Sequence, residues 1–160
     1  KTYINIISSF KFFIIYLSKI YKFFNVSEVI NFYNHKFTDQ KKILKIFNKI
    51  KTKNQLTNFR YKNVKIGDLI YDTYISQTFN PTVNLKDPIL FKMFLEAINI
   101  FDKSSEYLSK NNIKLLITSH TYYIQYDIIL RISLKLNIPV LIVHSKSREN
   151  ADIILKFIYQ

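Results

Sequence analysis

The stretch IKLLITSHTYYIQYDIILRISLKLNIPVLIVH, Ile113 to His144, decides the fold. Ile113 to Ser119 is a short apolar run suited to a buried strand. Tyr122 to Leu136 places Ile124, Ile128, Ile132 and Leu136 at helical spacing, and Asn137, which tolerates a left-handed backbone, can close that helix. Pro139 to His144 is a second apolar run. Strand, helix and strand in 32 residues make a β-α-β unit. Its strands are expected to run parallel, with a right-handed crossover.

Working upstream, Asp87-Pro88 is a helix start, with an acid at the N-cap and proline at the first helical position. The helix is predicted to run to about Lys110, with Leu90, Phe94, Ala97, Ile98, Phe101 and Leu108 as its stripe and Asn111-Asn112 as its end. Residues 77–87 read as irregular. Gly67 to Ser76 is a shorter helix with Ile66, Leu69, Ile70 and Thr73 inward, and 51–65 reads as a polar connection. Thr38 to Lys51 is a helix capped by Thr38 or Asp39. Ile43, Ile46, Phe47 and Ile50 form its apolar stripe, which Leu44 widens. At the start of the chain, Phe10 to Phe24 fits a helix and Tyr3 to Ile7 a short strand. Asn25 is a stop, and Val26 to Phe32 opens a further element.

Composition excludes several chemistries. The chain of 160 residues contains one glycine, no cysteine and no tryptophan. Without cysteine there is no disulfide framework, no Cys-ligated zinc, no iron–sulfur cluster and no thiolate nucleophile. With one glycine there is neither a G-x-G-x-x-G nor a Walker A phosphate loop. An apolar content of 48% argues for a packed core rather than disorder. The longest apolar run near the N-terminus, Phe12 to Leu17, is too short for a membrane span or a signal-peptide core. The first residue is Lys1 rather than Met, which reads as a fragment.

The net charge of +13 is unevenly placed. Residues 1–65 hold 14 basic and 2 acidic groups, whereas 66–160 hold 10 and 9. Phe, Tyr, Met, Ile, Asn and Lys make up 90 of the 160 residues, a set that shares A/T-rich codons. The cations are 21 Lys and 3 Arg, so base composition accounts for much of the basicity. Selection for bidentate phosphate contacts would favour arginine. Nucleic acid is therefore the weakest partner reading. For the lysines of the 38–51 helix, a solvated face and contact with an anionic membrane surface stand ahead of it.

Few residues are placed to carry chemistry. Ser119-His120 sits where the first strand of the β-α-β unit ends, the side on which open α/β sheets bind ligands. The next helix would direct free backbone N–H groups there. His120 can act as a general base or contact a sugar hydroxyl or phosphate; a locally packed loop histidine is the alternative. Asp68 and Asp72, at i and i+4 on one helical face, call for a basic partner such as Arg60 or Lys65, or for a polar ligand. Helix capping by Asp68 with Asp72 as a surface acid is the plainer reading. Asp127 and Arg131 have the spacing of a local ion pair. His35 and His144 are candidates by type alone; no histidine spacing supports a metal, and no cofactor is expected. The glycine-flanked nucleophile elbow is absent, so Ser119 and His120 do not make a hydrolase triad.

Three strings carry a family resemblance: YKNVKIGDLIYDTYIS at Tyr61–Ser76, TVNLKDP at Thr82–Pro88 and LLITSHTYYIQYDIILRISLKLNIPVLIV at Leu115–Val143. Together they resemble the N-terminal half of bacterial surface and capsular polysaccharide biosynthesis proteins that look like GT-B glycosyltransferases. The resemblance spans about Tyr61 to Val143. It implies an α/β fold: a Rossmann-like open sheet of mainly parallel strands flanked by helices. Residues 1–65 would form a basic helical part and 66–160 the α/β part of one incomplete N-terminal domain. That domain usually holds the acceptor, and a C-terminal domain holds the nucleotide-sugar donor. The implied activity is sugar transfer to a growing surface glycan, which this chain alone would not perform. His120 would be the acceptor-side base, with Gly67, Asp68, Tyr71, Asp72 and Ser119 contacting substrate. The expected partners are a nucleotide-sugar donor, held by the missing domain, and a glycan or lipid-linked acceptor. A non-catalytic membrane or assembly module of a polysaccharide system is the second reading. The expected location is the cytoplasm, or the periphery of the inner membrane.

Overall fold

The computed structural model describes residues 39–145 and 153–158, with backbone alone over 144–145 and 153–158. The elements expected at Tyr3–Ile7, Phe10–Phe24 and Val26–Phe32, together with His35, lie outside the described residues. So does the side chain of His144.

The described chain starts with helix α1, Gln40–Phe47, whose N-cap is Asp39. It buries Ile43 and Phe47, and the Phe47 ring meets Phe91 at 5.2 Å and Phe94 at 5.1 Å. The helix is shorter than its apolar pattern predicted. Leu44 does not widen the inward stripe: it is 42% exposed, because only the face bearing Ile43 and Phe47 meets a neighbour.

Residues 51–65 are not a plain connection. Helix α2, Lys53–Thr57, begins at Thr52, whose Oγ1 accepts from the Gln55 N–H. Gln55 Oε1 in turn accepts from the Lys51 N–H at 2.7 Å, a reciprocal arrangement close to a capping box. Strands β1, Arg60–Tyr61, and β2, Val64–Lys65, then pair antiparallel. The two turn residues, Lys62 and Asn63, both have positive φ, which is the mirror-image turn that matches strand twist.

Helix α3, Gly67–Thr78, follows directly and buries Gly67, Leu69, Ile70, Thr73 and Tyr74. It ends at Phe79, a left-handed residue with φ 55°. Helix α4, Pro88–Lys110, has the start and end read from the sequence. Asp87 Oδ1 accepts from the Ile89 N–H, and Asp87 Oδ2 accepts from the buried Tyr74 hydroxyl. All six expected stripe residues are buried, and so are Met93, Leu95, Asn99, Ile100 and Ser104. Contact with α1, with α3 and with a later helix explains burial on so many sides.

Strand β3, Leu116–Thr118, helix α5, Tyr123–Lys135, and strand β4, Val140–Ser145, form the expected unit. β3 and β4 are parallel, with Leu116 opposite Val140. Helix α5 closes through Asn137, at φ 57°. The Ile138 N–H bonds to Ser133 C=O and the Asn137 N–H to Leu134 C=O, the paired bonds of a Schellman cap. Strand β5, Ile153–Ile158, adds antiparallel to β4, giving the order β3-β4-β5. The architecture is mixed helix and sheet, with two small sheets and one parallel pair among the described residues.

β3 is shorter than predicted and is not buried on both faces. Leu116, Val140 and Ile142 are buried, while Ile117 is 51% exposed. Helix α5 packs against β3 and β4, and alternate strand residues point away from the buried set. Among the described residues no helix is long and apolar enough to cross a membrane.

Candidate functional site

Ser119 and His120 follow β3 directly and are exposed. Thr118 orders the turn: its Oγ1 donates to His120 C=O at 2.9 Å and accepts from the His120 N–H. The imidazole stacks on Tyr126, in the first turns of α5, with ring centroids 4.9 Å apart and planes 25° apart. Nδ1 lies 2.8 Å from Ser119 Oγ. Two contacts thus hold the ring, and Nε2 has no partner among the described residues.

The start of α5 beside this turn lacks a local cap, since the Tyr122 side chain makes no capping hydrogen bond. Thr73 on α3 supplies it. Its Oγ1 accepts from the Ile124 N–H at 3.0 Å and donates to Leu69 C=O at 2.7 Å, so one buried hydroxyl is satisfied on both sides. Tyr123, the first helical residue, has φ 67°, a costly backbone for an aromatic residue. The Thr73 bridge fixes α3 against the end of α5 that carries His120.

In the middle of α5 lies the second cluster. Arg131 Nη1 donates to Asp68 Oδ1 and to Lys65 C=O, each at 2.8 Å, while Nε donates to Asp127 Oδ2 at 2.8 Å. Arg131 therefore pairs with Asp127 as the spacing implied, and it is also the partner that Asp68 called for. Arg60 instead donates to Asn63 C=O. Burial pushes Asp68 up, but the hydrogen bond and charge of Arg131, helped by Lys65 and the Leu69 N–H, hold it below its usual value. For Asp127 burial wins: the pKa is raised although Arg131 pulls it down. Loss of hydration pulls the guanidinium's pKa down, yet Asp68 and Asp127 outweigh it and raise the pKa.

Asp72 is exposed and has no hydrogen-bond partner among the described residues. Partial desolvation and the charge of Asp68 raise its pKa, against the pull of Arg131. Tyr71 is half-buried, with Lys53 Nζ 4.5 Å from its ring centroid. Gly67 is buried, and a Cβ there would stand 1.8 Å from Leu56 C=O and 2.8 Å from Phe59.

The structure thus separates the expected site residues. Ser119 and His120 form one exposed pair at the carboxyl end of β3. Asp68 lies further along α5: His120 stacks on Tyr126 and Asp68 bonds Arg131, five residues or about 7.5 Å along the helix. Gly67 is packed against backbone, and Tyr71 meets Lys53. Sequence reading missed Thr73, Tyr126 and the reach of Arg131 to Asp68. The signal for Thr73 was the missing cap at Tyr122, which obliges the fold to supply an acceptor from elsewhere. Among the described residues no group of three or more His, Cys, Asp or Glu could hold a metal ion. No family model, no curated protein and no solved structure matches this chain.

Proposed function

We propose that this chain is the acceptor-side portion of a glycosyltransferase that builds a bacterial surface polysaccharide, on a Rossmann-like domain. The observation that carries the reading is the held imidazole of His120 at the carboxyl end of a parallel strand, with Nε2 left open. That is the edge at which α/β sheets present groups to ligands. The string resemblance over Tyr61–Val143 supplies the substrate class.

In the tautomer whose Nδ1–H donates to Ser119 Oγ, Nε2 is left as the acceptor. A glycan hydroxyl there would pass its proton to Nε2 as its oxygen attacks the anomeric carbon of the donor sugar. The bond from that carbon to the diphosphate breaks, and the nucleoside diphosphate leaves from the donor-side domain. Ser119 and Tyr126 orient the ring, Asp72 is an exposed carboxylate on the Asp68 and Arg131 side, and Gly67 and Asp68 serve as scaffold.

The test is transfer from nucleotide-sugar donors to glycan acceptors by the protein that carries this chain. His120→Ala is expected to lower turnover about 10²–10⁴-fold, the range of one general base, with the acceptor still bound. Undiminished transfer removes His120 from the chemistry.

A further inference from the structure

We propose that the outward face of α1 and the turn after it form a docking surface for an anionic lipid membrane. This does not depend on the glycosyltransferase reading. Between Asp39 and Lys53 the chain carries six lysines, at 41, 42, 45, 49, 51 and 53, against one acid. That acid, Asp39, is engaged as the helix cap on the Lys42 N–H. All six lysines are exposed, and none makes an ion pair among the described residues. Base composition raises lysine everywhere, yet 66–160 balance 10 basic groups with 9 acidic ones. Composition alone leaves this segregation unexplained.

The geometry sets the face. Ile43 and Phe47 fasten α1 to the Phe91 and Phe94 rings. At about 100° per residue, Lys41 and Lys45 stand opposite that anchor, with Leu44 on one flank and Lys42 on the other. Leu44 is 42% exposed at the border of the charged face. A basic face with an exposed leucine matches anionic headgroups lying over acyl chains. Lysine suits it, because a diffuse negative surface attracts point charges and needs no planar fork. A nucleic acid would use the charge but not Leu44, and no arginine stands on this face.

The full chain is sedimented with phosphatidylcholine vesicles, with and without phosphatidylglycerol. It is expected to pellet only with the anionic vesicles, and less as salt rises. A combined Lys41→Gln, Lys42→Gln, Lys45→Gln and Lys49→Gln variant is expected to keep its thermal midpoint. It should lose about five-fold in partitioning per lysine, roughly several hundred-fold in all. The chain has no tryptophan, so Leu44→Trp gives a single reporter whose emission should shift to the blue on anionic vesicles alone. Equal pelleting by the glutamine variant, an unshifted tryptophan, or retention of duplex DNA without vesicle binding would each overturn the proposal.

Discussion

At position 67 only a hydrogen fits, because any β-carbon would stand 1.8 Å from the Leu56 carbonyl oxygen. The neighbour is backbone, so it cannot swing aside as a flexible side chain would. Ile66 and Gly67 also give their N–H groups to Phe59 C=O, each at 3.1 Å, which fixes the approach of α3 to the segment before it. Alanine is the better helix former by about 1 kcal/mol, but overpacking opposes it with a larger penalty. Gly67→Ala is expected to lower stability by about 1–2 kcal/mol net in urea unfolding; an unchanged or higher midpoint would contradict the contact. The sequence marked Gly67 as the sole glycine and the head of a distinctive string. Its reason is close packing, which composition could not reveal, because the opposing carbonyl belongs to the unforeseen helix α2.

At the scale of elements, the boundary of α5 depends on a residue about fifty positions upstream. Thr73 supplies the acceptor that Tyr122 does not, and it holds the turn bearing Ser119 and His120 against α3. Thr73→Val keeps the shape and removes the hydroxyl. It is expected to cost about 1–2 kcal/mol, the worth of a strong N-cap, and to speed hydrogen exchange at the Ile124 amide. Thr73→Ser should restore both, and normal exchange at Ile124 in the valine variant would refute the bridge. Local rules served well where the partners were local. Asp87-Pro88 opened α4, and Asn137 closed α5. The Thr52-x-x-Gln55 pattern could also have revealed α2. The β1–β2 hairpin was harder to read, because its turn uses Lys62 and Asn63 in place of a glycine-bearing pair.

At the scale of the molecule, α5 is tied to the hairpin and to α3 by its own cations. Arg131 reaches Lys65 C=O and Asp68, and Lys135 Nζ reaches Lys62 C=O at 2.6 Å. The hairpin is held from its other side by α4, where Asp102 accepts from the Tyr61 hydroxyl and from Lys62 Nζ. Burial, then the charge and hydrogen bond of Asp102, push the Tyr61 pKa up to about 12. The Arg131 cluster predicts two opposite pH responses. Asp68 is held below its usual pKa, so its contribution is present above the ordinary carboxylate value and is lost as acid titrates the folded state. Asp127 is raised, so its contribution is present in acid and is lost as pH rises through its folded value. In urea unfolding from about pH 3 to about pH 7, the wild type should therefore gain on Asp68→Asn and lose ground to Asp127→Asn. Slopes of the same sign would show that burial does not separate the two carboxylates.

Periodicity, caps and breakers were enough to place α4 and the β-α-β unit, because each rests on contacts between residues near in sequence or on a buried stripe with a regular period. Charge counting likewise located the basic face before any coordinates. The tertiary structure alone decided that α5 is capped by Thr73 and that Asp68 belongs to Arg131. It also decided that Gly67 meets a carbonyl, and that His120 is held by Tyr126 and Ser119. Apart from the His120 contacts and the Gly67–Leu56 approach, these pairings join residues more than fifty positions apart, and they are chosen by which helix faces meet after packing. No local pattern encodes that choice, since the unpaired N–H and the buried carboxylates require a partner without specifying which one.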